Sequence, residues 1–235
     1  MTPETEPTLG DEEWHGAVAD VSDPLPVVER RERFTGRVWT IVSEDVDFGS
    51  AVVTRDVQVH LGAVAVLALD DDDRVLLIRQ YRHPVGMWLF EPPAGLLDEP
   101  GEDPVRTAGR ELAEESGYQA ARWDVLVDFF NSPGGSSEAI RIYLARGLSP
   151  VAGGRPRTGE AEEAHLPRVW VDLDEARDLV LAGRIGSPTA VCGILAAWAA
   201  RASGWTTLRS GDAAWTARDA LVRTGRVRPA HQVGA

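Results

Sequence analysis

Lysine is missing from the 235-residue chain; all 24 basic side chains are arginine. That excludes Schiff-base chemistry and any phosphate loop of the Gly-Lys-Ser type, because both need a primary amine. A single cysteine, Cys192, excludes an intramolecular disulfide and fits a reducing compartment, so a cytoplasmic location is expected. No apolar run approaches the roughly 20 residues of a bilayer-spanning helix. Residues 1–20 also lack the basic start and apolar stretch of a secretory signal. No membrane partner is expected. Positive charge is scarce beside negative, with 37 acidic side chains and a net charge of −13. Nonspecific nucleic-acid binding relies on neutralising phosphates, so no nucleic-acid partner is expected either. The apolar share of 43% is ordinary for a globular protein, and the length suits one large domain with an appendage.

The chain divides by pattern into four parts. Residues 1–26 are acidic, rich in Thr, Pro and Gly, and without periodicity, the pattern of a mobile tail. Residues 27–60 turn β-like, with strands at 37–42 and 52–59 around a turn near Phe48-Gly49-Ser50, and predict a small antiparallel β domain. Residues 61–203 predict an α/β domain. It opens with two buried strands, 62–69 and 74–81, expected to form a hairpin across the acidic turn Asp70 to Asp73. Asp103 as N-cap and Pro104 in the first turn open a helix that ends at Gly117. Strands are expected at 123–130, 139–145 and 168–171, and helices at 173–182 and 188–201. Residues 204–235 form a C-terminal extension with a short amphipathic helix at 212–223.

The helix before Gly117 breaks its own rules. Glu111 and Glu115 stand four apart, which sets like charges side by side at a cost of about 0.2 to 0.5 kcal/mol. Glu114 and Glu115 also occupy the last turn, where the helix dipole disfavours a carboxylate by about 0.3 to 1 kcal/mol. At 100° per residue, Glu111 and Glu115 border the apolar stripe of Val105, Ala108 and Leu112, while Arg110 and Glu114 lie on the far side and are positioned to pair. Two readings fit this helix. A divalent cation such as Mg²⁺ would resolve the conflict, since hard cations take carboxylate oxygens and arrive with phosphates; otherwise the helix presents a solvated acidic face.

The run from Gly95 through Glu102 to Arg110-Glu111-Leu112-Ala113-Glu114-Glu115-Ser116-Gly117-Tyr118 resembles the signature of the Nudix hydrolases. It departs in one place: six residues, not five, separate Gly95 from Glu102. Glu91-Pro92-Pro93-Ala94-Gly95, Arg79-Gln80-Tyr81-Arg82-His83 and Ser132-Pro133-Gly134-Gly135-Ser136-Ser137-Glu138 resemble the ADP-ribose pyrophosphatase branch, over roughly residues 27–203. The resemblance implies an α/β/α sandwich with a mixed sheet, preceded by the small antiparallel β domain.

It further implies hydrolysis of ADP-ribose to AMP and ribose 5-phosphate with Mg²⁺ or Mn²⁺. The metal ligands would be Glu111, Glu115 and the Ala94 carbonyl, with Glu114 and Glu102 as second choices. The general base would be Glu163, or Glu162 beside it, on a loop before Trp170, with Glu115 also catalytic. Arg82 would contact a phosphate, Glu91 would line the substrate site, and Glu138 would accept a ribose hydroxyl. Trp39 and Arg55 would meet the adenine from the other subunit of a homodimer. Another nucleoside diphosphate sugar or an oxidised nucleotide is an alternative substrate, and a non-catalytic ADP-ribose sensor an alternative function.

Overall fold

The computed structural model describes residues 15–99, 101–156 and 166–228. A three-stranded antiparallel sheet comes first, with strands β1 (Val27–Thr35), β2 (Thr40–Asp47) and β3 (Val52–Val59) in sequence order. The chain continues through β4 (Ala63–Ala68), β5 (Arg74–Arg82), a 3₁₀ turn (His83–Val85), β6 (Met87–Glu91), β7 (Ala94–Leu96) and helix α1 (Pro104–Ser116). Strands β8 (Tyr118–Phe130), β9 (Ala139–Pro150) and β10 (Arg168–Asp172) follow, then α2 (Leu173–Leu181), α3 (Pro188–Ala202), β11 (Arg209–Ser210) and α4 (Thr216–Arg223).

The central sheet runs β11-β8-β9-β4-β7, and its only parallel pair among the described strands is β4 with β9, so it is mixed. Alternation along β4 and β9 sends side chains to two cores. Ala65, Leu67, Ile140, Ile142 and Leu144 face α2 and α3, where Leu173, Ala176, Ala190, Ile194 and Ala197 meet them. Val64, Val66, Ala139, Tyr143 and Ala145 face Ala108 and Leu112 of α1, and Trp215 just before α4. Helices therefore cover both faces, giving the expected α/β/α sandwich preceded by a small antiparallel sheet. A strand covered on both sides reads as continuously apolar, as Ala63-Val64-Ala65-Val66-Leu67-Ala68 does.

Two local expectations change. The acidic turn closes, with Asp70 N–H donating to the Arg74 carbonyl and Leu69 bridged to Val75, yet the two strands it joins do not pair further. Strand β4 has both edges filled by β9 and β7, and β5 has both filled by β10 and β6, in a separate three-stranded sheet. Partners distant in sequence outcompete the adjacent strand. The N-terminal sheet gains a strand ahead of those expected, because β1 (VVERRERFT) is almost wholly exposed and its polar alternation hides it. Residues 36–39 turn, with Gly36 N–H donating to the Trp39 carbonyl, so β2 starts at Thr40.

The segment after Gly204 lies across the sheet. Arg141 on β9, only 2% exposed, donates to both Asp128 oxygens at 2.7 and 3.0 Å and to the carbonyls of Ala213 and Ala214 at 2.6 and 3.1 Å. Its guanidinium also sits 4.8 Å from the Trp215 ring. Further on, Arg226 and Arg30 each reach the buried Glu44 at 3.2 Å, which ties the end of α4 to the N-terminal sheet. Removing Arg141 deletes the buried half of this network, the two bonds to Asp128 together with the donors to the Ala213 and Ala214 carbonyls. Arg141→Met is therefore expected to lower the unfolding free energy by about 3 kcal/mol in urea titration. Arg209→Met, at the exposed partner that meets Asp128 at 2.9 Å, should cost less than about 1 kcal/mol. Equal losses would show that Arg141 does not anchor the segment.

Candidate active site

Helix α1 begins and ends as its sequence requires. Asp103 accepts from Val105 N–H, Pro104 occupies the first turn, and Gly117 closes the helix in the left-handed region at φ +74°. Leu112 and Ala108 fix its apolar stripe in the core, which turns the neighbouring Glu111 and Glu115 inward; both are more than nine-tenths buried. They rest on β7. Glu115 accepts the Ala94 N–H at 2.8 Å, and the Glu111 carboxylate lies directly over Gly95. A Cβ on Gly95 would stand 2.1 Å from the Glu111 carboxyl carbon, so only glycine fits there.

The opposing dipole is offset from far along the chain. Arg155 donates to the Glu114 carbonyl at 2.5 Å and Arg168 donates to the Ser116 carbonyl, supplying positive charge to the helix C-terminus. Around the other side, Arg110 meets Glu111 at 2.7 Å, Glu114 at 3.1 Å and Glu102 at 3.5 Å. Burial works against the Arg110 charge, but these three carboxylates together raise its pKa above the ordinary arginine value. Glu114 and Glu102 thus turn toward Arg110 and Glu115 toward β7, while Glu111 meets both Arg110 and Gly95 of β7. Just before Glu102, in the stretch that is one residue longer than the family signature, Glu102 N–H donates to the Glu99 carbonyl and Gly101 takes φ +78°.

A second group of predicted residues gathers at the β5–β6 hairpin. The buried Glu91 takes Arg82 in a fork, through Nη2 at 2.6 Å and Nε at 3.1 Å. Burial opposes the Arg82 charge, while Glu91, Glu115 and Glu138 raise its pKa, so these four groups share one electrostatic neighbourhood. Glu138 stands just before β9. One of its oxygens accepts from Asn131 Nδ2 at 2.7 Å and the other lies 3.6 Å from His60 Nε2. Neither His60 nor Asn131 was singled out from the sequence as a functional residue. Their partner is 78 and 7 positions away respectively, and His60 reaches it through the pairing of β9 with β4 and the bonds of residues 135–137 to Gln58 and His60.

The remaining predictions lie elsewhere. Trp39 is half-buried against Phe34, with ring centroids 6.1 Å apart. Arg55 sits over Phe48 at 5.6 Å and lines a cavity of about 550 Å³ with Pro133 to Ser137 and Arg226. Neither makes a hydrogen bond or ion pair with the carboxylates at β7. Glu162 and Glu163 lie outside the described residues. Among the described residues no three acidic, histidine or cysteine side chains are clustered tightly enough to hold a metal ion by themselves. Two buried carboxylates beside a strand backbone do, however, supply only hard oxygen donors, which suits Mg²⁺ or Mn²⁺.

The fit of Gly95 beneath Glu111 is open to test. Gly95→Ala should lower stability by about 1 to 3 kcal/mol through overpacking. In a Glu111→Ala background, where the space is vacated, most of that penalty should vanish. An equal penalty in both backgrounds would mean that Glu111 does not occupy the Gly95 surface.

Comparison with known proteins identifies relatives of the chain. The NUDIX domain family matches residues 59–189, more than half of the chain. An ADP-ribose pyrophosphatase of Mycobacterium tuberculosis is 44% identical over 185 residues, covering 78% of this chain and 87% of that protein. An ADP-ribose pyrophosphatase of Bacillus subtilis is 36% identical over 155 residues, covering 65% and 81%. The crystal structure of an ADP compounds hydrolase superposes with a TM-score of 0.62 at 22% identity, over 79% of this chain and 99% of that one, a likeness of fold. The chain belongs to the Nudix hydrolase family.

Proposed function

We propose that this Nudix hydrolase cleaves the diphosphate of ADP-ribose, giving AMP and ribose 5-phosphate, with Mg²⁺ or Mn²⁺ as cofactor. The observation that carries the reading is the pair of buried carboxylates, Glu111 and Glu115, set on β7 in the same neighbourhood as Arg82 and Glu138. The identity to proteins named ADP-ribose pyrophosphatase supports the substrate.

Hydrolysis of a diphosphate requires water to approach an anion, so negative charge on the nonbridging oxygens must be neutralised. A divalent cation held by Glu111, Glu115 and the Ala94 carbonyl would supply that neutralisation and lower the pKa of the attacking water. The protein's own part is positional. Glu115 is locked by the Ala94 N–H, and Glu111 is turned by Arg110 and seated on Gly95, so neither carboxylate needs to reorganise. Arg82 keeps Nη1 without a hydrogen bond to any described residue while Glu91 holds the rest of its fork, which suits Nη1 to a phosphate oxygen. A loop glutamate, Glu163 or Glu162, would take the proton of the attacking water as the phosphorus–oxygen bridge breaks.

A homodimer completes the proposal, with Trp39 and Arg55 serving the adenine of the partner's substrate. Trp39 in the turn before β2 and Arg55 on β3 make no hydrogen bond or ion pair with Glu111 or Glu115 of their own chain, which supports that arrangement. No described helix is long and apolar enough to cross a membrane, and with a single cysteine this fits a cytoplasmic enzyme.

The deciding experiment incubates the purified protein with Mg²⁺ and ADP-ribose, ADP-glucose, UDP-glucose, NADH or a diadenosine compound, and measures nucleoside monophosphate released. AMP from ADP-ribose ahead of the rest, abolished by chelator, is the expected result. Glu115→Gln should keep the native circular dichroism and lower kcat by at least about a hundredfold, as loss of a principal electrostatic contact does. Preference for another substrate would overturn the ADP-ribose assignment, and binding without turnover would make the protein a sensor.

A further inference from the structure

The corner where β3 runs into β4 holds a buried imidazole that the proposed hydrolysis does not use. His60 is 6% exposed. Its backbone N–H donates to Ser137 Oγ at 3.0 Å, and its Nδ1 accepts the Gly62 N–H at 3.1 Å. An accepting Nδ1 carries no proton, so the neutral ring bears its hydrogen on Nε2. That nitrogen faces Glu138 at 3.6 Å. From the other side Asn131 holds Glu138 twice, donating from Nδ2 to the carboxylate at 2.7 Å and from its backbone N–H to the Glu138 carbonyl at 3.0 Å. Ser136 Oγ accepts the Glu138 N–H at 3.2 Å.

The support behind this carboxylate is itself rigid. Gln58 N–H donates to Gly135 and Ser137 N–H donates to Gln58, which laces the loop before β9 to the end of β3. The His60 carbonyl accepts from Arg228 N–H at 3.2 Å. An ionised carboxylate offers about four lone-pair positions. Asn131 fills one position on one oxygen, and His60 Nε2 faces the other oxygen at 3.6 Å, beyond hydrogen-bond reach but near enough for its N–H dipole to orient the carboxylate; both oxygens keep acceptor capacity, which two adjacent hydroxyls can fill.

We propose that His60 and Asn131 are positioning residues that clamp Glu138 as a two-point acceptor for a vicinal diol on a sugar of the nucleoside diphosphate substrate. The clamp selects ribose over sugars lacking one of the two hydroxyls. A carboxylate already ordered before binding loses no rotamer freedom when the diol docks, so the clamp acts on affinity. This inference rests on the reading of the site as one for a nucleoside diphosphate sugar.

The test measures KM, kcat and, by calorimetry, Kd for ADP-ribose and for two analogues, each deoxygenated at position 2 of one ribose. Glu138→Gln and Asn131→Ala are each expected to raise KM and Kd for ADP-ribose about tenfold, the equivalent of one hydrogen bond to a charged group, and His60→Met, which removes a longer contact, to raise them by a smaller factor. The fall in kcat should be smaller than the rise in KM. His60→Gln, whose amide nitrogen replaces the Nε2 donor, should restore most of the affinity. One analogue should bind all the variants alike, marking the ribose that Glu138 recognises. If Glu138→Gln weakens binding and Asn131→Ala and His60→Met do not, the clamp is wrong while the site assignment stands. If Glu138→Gln has no effect, Glu138 does not meet the sugar and the inference fails. Asn131 is exposed, so Asn131→Ala decides alone should His60→Met not fold. Absence of any ADP-ribose binding by the unaltered protein would overturn the inference and the proposed function together, while binding without turnover would overturn the enzymatic reading alone.

Discussion

Two carboxylates one helical turn apart, both turned into the protein at the negative end of a helix, are the constraint that orders the rest of this site. Glu111 and Glu115 repel each other, Glu115 is disfavoured by the α1 dipole, and both lose hydration on burial. Each disadvantage has a structural answer. The Ala94 N–H and Arg110 provide hydrogen bonds in place of water, Gly95 provides the room, and Arg155 and Arg168 oppose the dipole at the carbonyls of Glu114 and Ser116. Arginine suits every one of these cationic positions. Its planar fork reaches several acceptors at once, as Arg110 does with three carboxylates, and its weaker hydration lowers the cost of partial burial.

The sandwich serves this constraint by fixing β7 against α1. Strand β7 is an edge strand of only three residues, held on one side by β4. Alone it would be a poor platform. Its stability derives from β4, which is buried on both faces and paired on both edges, and from the Leu97 N–H that donates to the Gly62 carbonyl. Helix α1 adds the second support, since the same residues that bury its stripe, Ala108 and Leu112, set the rotation that brings Glu111 and Glu115 onto the strand.

What could be read in the chain follows the range of the forces involved. Helix α1 was legible to the residue because its determinants are local: Asp103, Pro104 and Gly117 act within one turn of the ends they define. The inward rotation of Glu111 and Glu115 followed from 100° arithmetic. The β4–β5 hairpin was misread because Asp70 to Asp73 do make a turn, whereas strand pairing is decided by β9, some 75 positions later, and by β10. Strand β1 was missed because nearly every side chain in it faces solvent, so no apolar period marks it. The arginines that offset the α1 dipole were unreadable for the same reason of range, with Arg155 and Arg168 lying 41 and 52 residues from the carbonyls they reach.

The same reasoning explains how the N-terminal sheet and the C-terminal segment support the corner that presents Glu138. The end of β3 is laced to the loop before β9 through Gln58, Gly135 and Ser137, and residues 227 and 228 pair with His60 from the opposite side. Glu44 joins the two from behind, buried between Arg30 of β1 and Arg226 after α4. Backbone from three distant parts of the chain therefore converges on one corner, and the side chain presented there is Glu138. A carboxylate on an unsupported loop would sample several rotamers; here its backbone is bonded on both sides, and His60 and Asn131 bracket its two oxygens. Helix α1 positions one pair of carboxylates by rotation about a single axis, whereas Glu138 is positioned by the closure of loops. The first depends on residues within two turns of each other, and the second depends on the whole fold being in place.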